Sequence, residues 1–347
     1  MKIAIIGAGV LGRLLAMTLL APSEAEIKLS VYDRAPDLRG MGSSGLSAAG
    51  MVAPVCELLE RNGELYRRGV ISQGLWSDID KRLGGGIYSV PGTVILAHYK
   101  DRAELDYAET MIKSFCPDTN EIKRSDIAGL NVFGINADKH LCRDYLSVAR
   151  EGAIDVPAFF AASANWLLNH PAIDCRLSCD IKATDLEKLR RDYDWVIDCR
   201  GLGAKDSLAG LYGVRGEAIE VYAPEVDIKK IIRLCHPRHP LYIVPRANHH
   251  YYIGATVIHG EDGSAISVKS MMELLSGLSL IDSGFLEARV ISTKTGLRPT
   301  LPSGMPSIIK NGRLIHINGL YRHGYLLTPA ICQELVADIK EGAYDTN

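Results

Sequence analysis

The first run of branched apolar residues, Ile3-Ala4-Ile5-Ile6, stops at Gly7-Ala8-Gly9-Val10-Leu11-Gly12. A longer apolar stretch, Leu14 to Leu20, follows, and a second run, Ile27 to Tyr32, ends at Asp33. The changes of period predict strand, turn, helix, strand. Apolar positions from Leu58 to Ile79 at mixed three- and four-residue spacings predict helix over 52–83, ended by Gly84-Gly85-Gly86. Ile87 to Val90 and Thr93 to Ala97 read as a strand pair across Pro91-Gly92, and Asp101 as the cap of a helix over 102–115. Residues 120–150 show no usable period.

Asp155 and Pro157 open a helix to about Asn169. A strand over 174–183, a very short helical stretch over 184–192 and a buried strand over 194–199 follow. Further strands are expected at 213–221, at 241–246 and 250–256 (a hairpin over Ala247-Asn248-His249), at 287–292 and at 314–318. Helices are expected over about 267–280 and at the C-terminal end, where Thr328 reads as N-cap and Pro329 as first helical residue.

At 347 residues the chain suits two lobes, and 47% hydrophobic with 23% charged residues is globular. A net charge of −2 offers no field for nucleic acid. No run approaches the roughly 18 apolar residues of an integral membrane segment. Met1-Lys2 leads straight into the first strand, so a cytoplasmic location is expected. Eight cysteines without CxxC spacing argue against zinc or a disulfide framework, and ten histidines show no ligand spacing, so no metal is expected.

Candidate chemistry begins at the glycine turn. In GxGxxG between strand and helix, Gly7 permits the tight turn, Gly9 lets backbone N–H groups approach a pyrophosphate, and Gly12 allows close helix–strand packing. Asp33 is placed to accept from a ribose hydroxyl. This points to an ADP-containing cofactor held by Gly7, Ala8, Gly9, Val10, Leu11, Gly12, Asp33 and Arg34. The small, hydroxyl-rich run from Gly40 to Met51 suits a planar ring lying on backbone, which adds Ser43, Ser44, Ser47, Ala48, Ala49, Gly50 and Met51.

Five ordered segments carry a resemblance. They are the glycine turn with Asp33; Ser47-Ala48-Ala49-Gly50-Met51; Val214-Arg215-Gly216-Glu217; Tyr242-Ile243-Val244-Pro245-Arg246 with Gly254-Ala255-Thr256; and Gly296-Leu297-Arg298-Pro299 with Gly319-Leu320-Tyr321-Arg322-His323-Gly324. The chain resembles the D-amino-acid-oxidase superfamily of FAD proteins, most closely the glycine oxidase type. The resemblance implies an α/β fold, with a Rossmann-type FAD-binding lobe (1–84, 151–212 and 293–347) interleaved with a mainly antiparallel substrate lobe (85–150 and 213–292). It implies FAD contacts at Ile181, Cys199, Gly201, Gly203, Gly319, Tyr321, Gly324, Tyr325 and Leu326. Arg298 then clamps the substrate carboxylate, the Tyr242 hydroxyl reaches it too, and Arg322 and His323 lie at the flavin edge. A core role for Tyr242 stays open.

The chemistry so implied is hydride transfer from the Cα of a small amino acid to the flavin. The imine hydrolyses to an oxo acid, and O2 is reduced to H2O2. Two alternatives stand beside it: a dehydrogenase with another electron acceptor, and an FAD-containing maturation or partner protein with little turnover. Association with a partner enzyme, or as a homo-oligomer, is left open. The chain departs from the glycine oxidase pattern at Pro240 beside His239, at Val257, in Leu320-Tyr321-Arg322-His323, at Asp198-Cys199-Arg200 and in the short stretch between Ala183 and Asp194. These departures alter the pocket wall.

Overall fold

The computed structural model describes residues 1–21, 26–40, 42–60, 62–116, 122–236 and 240–340. Met41, His239 and the predicted lobe residues 341–347 lie outside them. The first turn of structure is as expected: β1 (Lys2–Ile6), α1 (Val10–Leu19) and β2 (Lys28–Tyr32). β1 and β2 pair in parallel, and nine of the ten α1 residues are buried. Apolar side chains on both faces suit a central parallel strand covered by helices.

β3 (Met51–Val52) precedes α2 (Pro54–Glu57) and α3 (Gly63–Arg82). The single helix expected over 52–83 is therefore broken. Asn62 makes the break, because its side chain accepts from the Glu64 and Leu65 amides at 3.2 Å and starts a new helix. β4 (Tyr88–Ser89) and β5 (Thr93–Ala97) do not pair with each other, contrary to expectation. The Gly92 backbone bonds to Glu151 and Ile231 instead, which sends the two strands into different sheets.

α4 (Arg102–Phe115) follows Asp101, whose side chain makes no capping bond. β6 (Ile122–Asp126) and β7 (Asp144–Val148) occupy the stretch that showed no period. β6 reads Ile-Lys-Arg-Ser-Asp at a sheet edge, so its polarity hid it. β8 (Gly152–Ile154) leads to α5 (Val156–Asn169), capped by Asp155 at 3.0 Å from the Ala158 amide. β9 (Ile173–Arg176) is shorter than the expected 174–183 strand, since Ser178 takes φ 54° and turns the chain. α6 (Ala183–Leu189) and β10 (Trp195–Asp198) follow.

The remaining strands are β11 (Tyr212–Tyr222), β12 (Ile231–Cys235), β13 (Leu241–Pro245), β14 (His250–Gly254) and β15 (Ile258–His259). Then come α7 (Val268–Ser276), α8 (Leu278–Ile281), β16 (Arg289–Thr300), β17 (Ser307–Asn311), β18 (Leu314–Asn318) and α9 (Gly324–Lys340). β16 runs past its expected end at 292 because it pairs along the whole of β11. The expected lobe division at 292/293 falls inside this strand.

α9 begins four residues before its expected cap. Thr328 is interior, its hydroxyl donating to the Gly324 carbonyl at 2.5 Å, and Pro329 lies inside the helix. Proline at that place deprives the Tyr325 carbonyl of its i+4 donor. The Trp76 indole N–H donates to that carbonyl at 2.7 Å, which lets the helix run on.

A six-stranded sheet, in the order β17-β18-β10-β1-β2-β9, is parallel except at β17. A nine-stranded sheet, in the order β15-β11-β14-β13-β12-β5-β7-β6 with β16 on β11, is antiparallel except at β5–β12. A three-stranded sheet, β3-β8-β4, joins three separate segments of the first half of the chain. Among the described residues, no helix is long and apolar enough to cross a membrane.

Candidate active site

A cleft of about 680 Å³ runs from the C-terminal ends of β1 and β2 to the face of the nine-stranded sheet. Of the cofactor- and substrate-site residues expected from the sequence, all but Gly12 and Gly319 line it. Those two shape its walls. A Cβ on Gly12 would collide with the Gly7 carbonyl, and one on Gly319, at φ 80°, would lie 2.8 Å from Leu301.

At the β1 end, Gly7 takes φ 102° and its amide donates to the Tyr32 carbonyl at 2.7 Å. α1 starts at Gly9 with no capping side chain and no acid in its first turn. Its free N–H groups and positive dipole end therefore face the cleft, as a diphosphate requires. The Asp33 carboxylate is fixed by the Ala8 amide at 2.6 Å and the Ala35 amide at 2.8 Å. Lone pairs remain for a sugar hydroxyl. The donor set and the glycine walls fit the adenosine diphosphate half of FAD. The Ile181 carbonyl accepts from Arg200 Nη1 at 2.8 Å, and its amide donates to the Cys179 carbonyl at 3.2 Å. Ile181 thus lines the cleft with its backbone already bonded inside the protein, and in a loop instead of the expected strand.

Arg200 is held by a cluster that sequence reading missed. Asp198 is fully buried, with His316 Nδ1 at 2.8 Å and Arg200 at 2.8 and 2.9 Å. Burial alone would raise the Asp198 carboxyl, but the His316 and Arg200 hydrogen bonds outweigh it and hold it below its ordinary value.

In the middle of the cleft the small-residue run is pinned by backbone. The Ser47 carbonyl accepts from the Tyr252 hydroxyl at 2.5 Å, and the Ala49 carbonyl at 2.5 Å from Arg246. The run is thus fixed against the nine-stranded sheet.

The far end is built on one sheet face. Residues opposite one another across paired strands share a face, and alternate residues along a strand repeat it. The register sets Arg298 opposite Val214, Ala218 opposite Gly254, Gly254 opposite Tyr242, and Tyr242 opposite Arg233. Arg298, Gly216, Ala218, Gly254, Tyr242 and Arg233 therefore all face the cleft. Arg298 Nη1 donates to the Thr256 carbonyl at 3.1 Å and more weakly to that of Arg215. Those contacts aim the guanidinium and leave other donors open. Burial raises the Tyr242 phenol above its ordinary value, opposed by the charges of Arg298 and Arg233.

At the β18–α9 turn, Tyr321 takes φ 49°, and Arg322 ion-pairs with Glu57 at 3.4 Å and with Glu60. Buried His323 lies 3.5 Å from Glu57. Glu57, Glu60 and His323 converge as a cation-binding set would, but the Arg322 guanidinium supplies the positive charge there. Glu57, Arg233 and Tyr252 also line the cleft and were not singled out, and Arg200, noted only as a departure from the family pattern, lines it too. Only the strand alternation of Tyr242 and Tyr252 could have shown one of them.

The sequence profile of the FAD dependent oxidoreductase family matches residues 2–338. A Rhizobium etli protein assigned as the thiamine biosynthesis oxidoreductase ThiO is 34% identical, over 96% of this chain and 95% of its own length. The crystal structure of glycine oxidase from Geobacillus kaustophilus superposes with a TM-score of 0.80 at 21% identity, covering 99% of this chain and 96% of that one. L-α-glycerophosphate oxidase from Mycoplasma pneumoniae, solved with FAD bound, superposes with a TM-score of 0.77 at 14% identity over 98% and 94% of the chains.

Proposed function

The chain belongs to the FAD dependent oxidoreductase family, as an enzyme of the glycine oxidase and ThiO type, and on that premise we propose that it oxidises a small amino acid with O2 as final acceptor. The observation that carries the reading is Arg298 beside Tyr242 on the sheet face that closes the cleft. Bound FAD supplies the hydride acceptor. Arg298 holds the substrate carboxylate through the donors its backbone contacts leave open, and a planar fork suits that task better than lysine. The Tyr242 hydroxyl, protonated throughout the working range, gives a second hydrogen bond. Tyr242 and Tyr252, stacked at 6.4 Å, keep water from this end. The amine binds neutral, so no side-chain base is needed. Hydrolysis of the imine frees the nitrogen as ammonia or an amine, which leaves with the oxo acid and H2O2, and the setting is cytoplasmic.

The test is anaerobic mixing of the holoenzyme with glycine, sarcosine, D-amino acids and simple amines while the flavin absorbance is followed. Bleaching by the carboxylate-bearing amines, reduced at least 100-fold in Arg298→Ala with FAD retained, supports the reading. Bleaching only by amines without a carboxylate overturns it. Admitting air then separates oxidase from dehydrogenase by the rate of reoxidation.

A further inference from the structure

We propose that Arg233 is a second carboxylate-binding group of the cleft, and that the substrate is an amine bearing two carboxylates. The proposal rests on the amino-acid reading above and names its substrate class.

Two arginines face the cleft from opposite sides of Tyr242: Arg298 from β16 and Arg233 from β12. Arg298 touches only backbone carbonyls. Among the described residues, no hydrogen bond or ion pair engages the Arg233 guanidinium, although it is half-buried. The other charges at this end are satisfied. Arg322 is paired with Glu57 and Glu60, and Glu217 with Arg215. The Glu57 carboxylate feels the charge of Arg233, and it is shared with Arg322 and His323. A half-buried cation without a bonded partner is costly, and an anionic ligand removes that cost.

The spacing suits a short dicarboxylate. The Arg298 guanidinium lies over Gly216 on β11, where a Cβ would overlap it, and the Tyr242 hydroxyl lies over Gly254 on β14, at 2.8 Å from where a Cβ would stand. β11 and β12 are three strand spacings apart, about 14 Å. The Arg233 side chain spans part of that distance and leaves room for an amino acid whose second carboxylate meets it. Gly216 and Gly254 carry no side chain beneath the Arg298 guanidinium and the Tyr242 hydroxyl, and Ala218 on the same face is small, which leaves depth above the sheet for the carbon chain.

The test uses holoenzyme, with two readouts. First, flavin absorbance is titrated with malonate and succinate against acetate and propionate. Second, kcat/KM is measured for D-aspartate, D-glutamate and iminodiacetate against glycine, sarcosine and D-alanine. The expected result is tighter binding and faster turnover of the two-carboxylate members by about 10- to 100-fold, the range of one charge-assisted contact. In Arg233→Met that ratio falls toward one, while Arg233→Lys keeps part of it and serves alone if the methionine variant loses FAD. Preference among the amines for the D-amino acids or for iminodiacetate tells whether the second carboxylate branches from Cα or from nitrogen. A wild-type ratio near one, or an Arg233→Met loss equal for both sets, overturns the proposal and leaves Arg233 as a counter-charge to Glu57. Should no amine bleach the flavin, amino-acid oxidation fails, while the anion titration still reads Arg233 by itself.

Discussion

Gly216 and Arg298 are in direct register of shape: a Cβ on the glycine would overlap the guanidinium carbon and both terminal nitrogens of the arginine. The arginine reaches the cleft by crossing a strand that has no side chain at that place. Gly216→Ala should therefore push the guanidinium off its Thr256 contact without touching the nucleotide end. A displacement of this kind costs about 10- to 100-fold in positioning. Steady-state kinetics with FAD content measured in parallel should show kcat/KM falling by that factor at full flavin occupancy. Equal kinetics in the variant would mean that Arg298 does not hold substrate from this position.

Asp33 joins the nucleotide end to the strand that carries it. Its carboxylate takes the Ala8 and Ala35 amides, so Asp33→Ala removes both backbone bonds as well as any to the sugar. Hydrogen bonds to a charged acceptor contribute about 1.5–3 kcal/mol each. FAD should bind Asp33→Ala at least about 10-fold more weakly, read by titrating apoprotein and following flavin fluorescence. The thermal shift on adding FAD should shrink with it.

The parts of the fold legible in the sequence are those where one side-chain type repeats with one period. β1, α1, β2 and β10 are buried along nearly their whole length, so their sequences are mostly apolar. The β13–β14 hairpin declares itself through its turn residues, Asn248 and His249, which take positive φ. β6 was hidden because an edge strand faces water, and α9 was placed late because Pro329 imitates a helix start. Only the Trp76 bond to the Tyr325 carbonyl explains why that proline is tolerated, and Trp76 lies 249 residues away in sequence. The cleft divides the same way. The glycines and serines that line it stand in short motifs. Arg233, Arg200 and Glu57 come to it from separate elements, and no local spacing links them.

Asp198 offers a test of a departure in the sequence. Its folded carboxyl is held below the ordinary 3.8 by His316 and Arg200 in spite of burial. The unfolded chain therefore binds the proton more readily. The stabilisation is complete above the unfolded value and is lost as pH falls through the folded one. Asp198→Asn removes one of the two carboxylates that hold buried Arg200, leaving Asp206 at 3.0 Å, which costs about 1.5–3 kcal/mol. Its Tm should fall at pH 7, and the gap from wild type should narrow in the acid range below about pH 4. A constant gap down to pH 3 would assign the loss to packing alone.

His323 carries the opposite chemistry in the same cleft. Burial pushes its imidazole below the ordinary 6.5; the Glu57 charge opposes this, and Arg322 and Arg298 reinforce it. Burial would raise Glu57 in turn, but the charges of His323, Arg322 and Arg233 outweigh it and keep it ionised. The unfolded histidine takes up its proton first, so stability is complete above about pH 6.5 and declines as pH falls toward the folded value. His323→Gln should flatten the decline of Tm between pH 6.5 and pH 5. Glu57→Gln removes the anion that supports protonation. It should deepen the decline and, by leaving Arg233 and Arg322 less balanced, tighten acetate binding to the holoenzyme about 3- to 10-fold. Titrating both variants with acetate at pH 7 and pH 5.5 separates these effects. If Glu57→Gln weakens acetate binding, the Glu57 carboxylate is shaping the anion site and is not opposing it by charge.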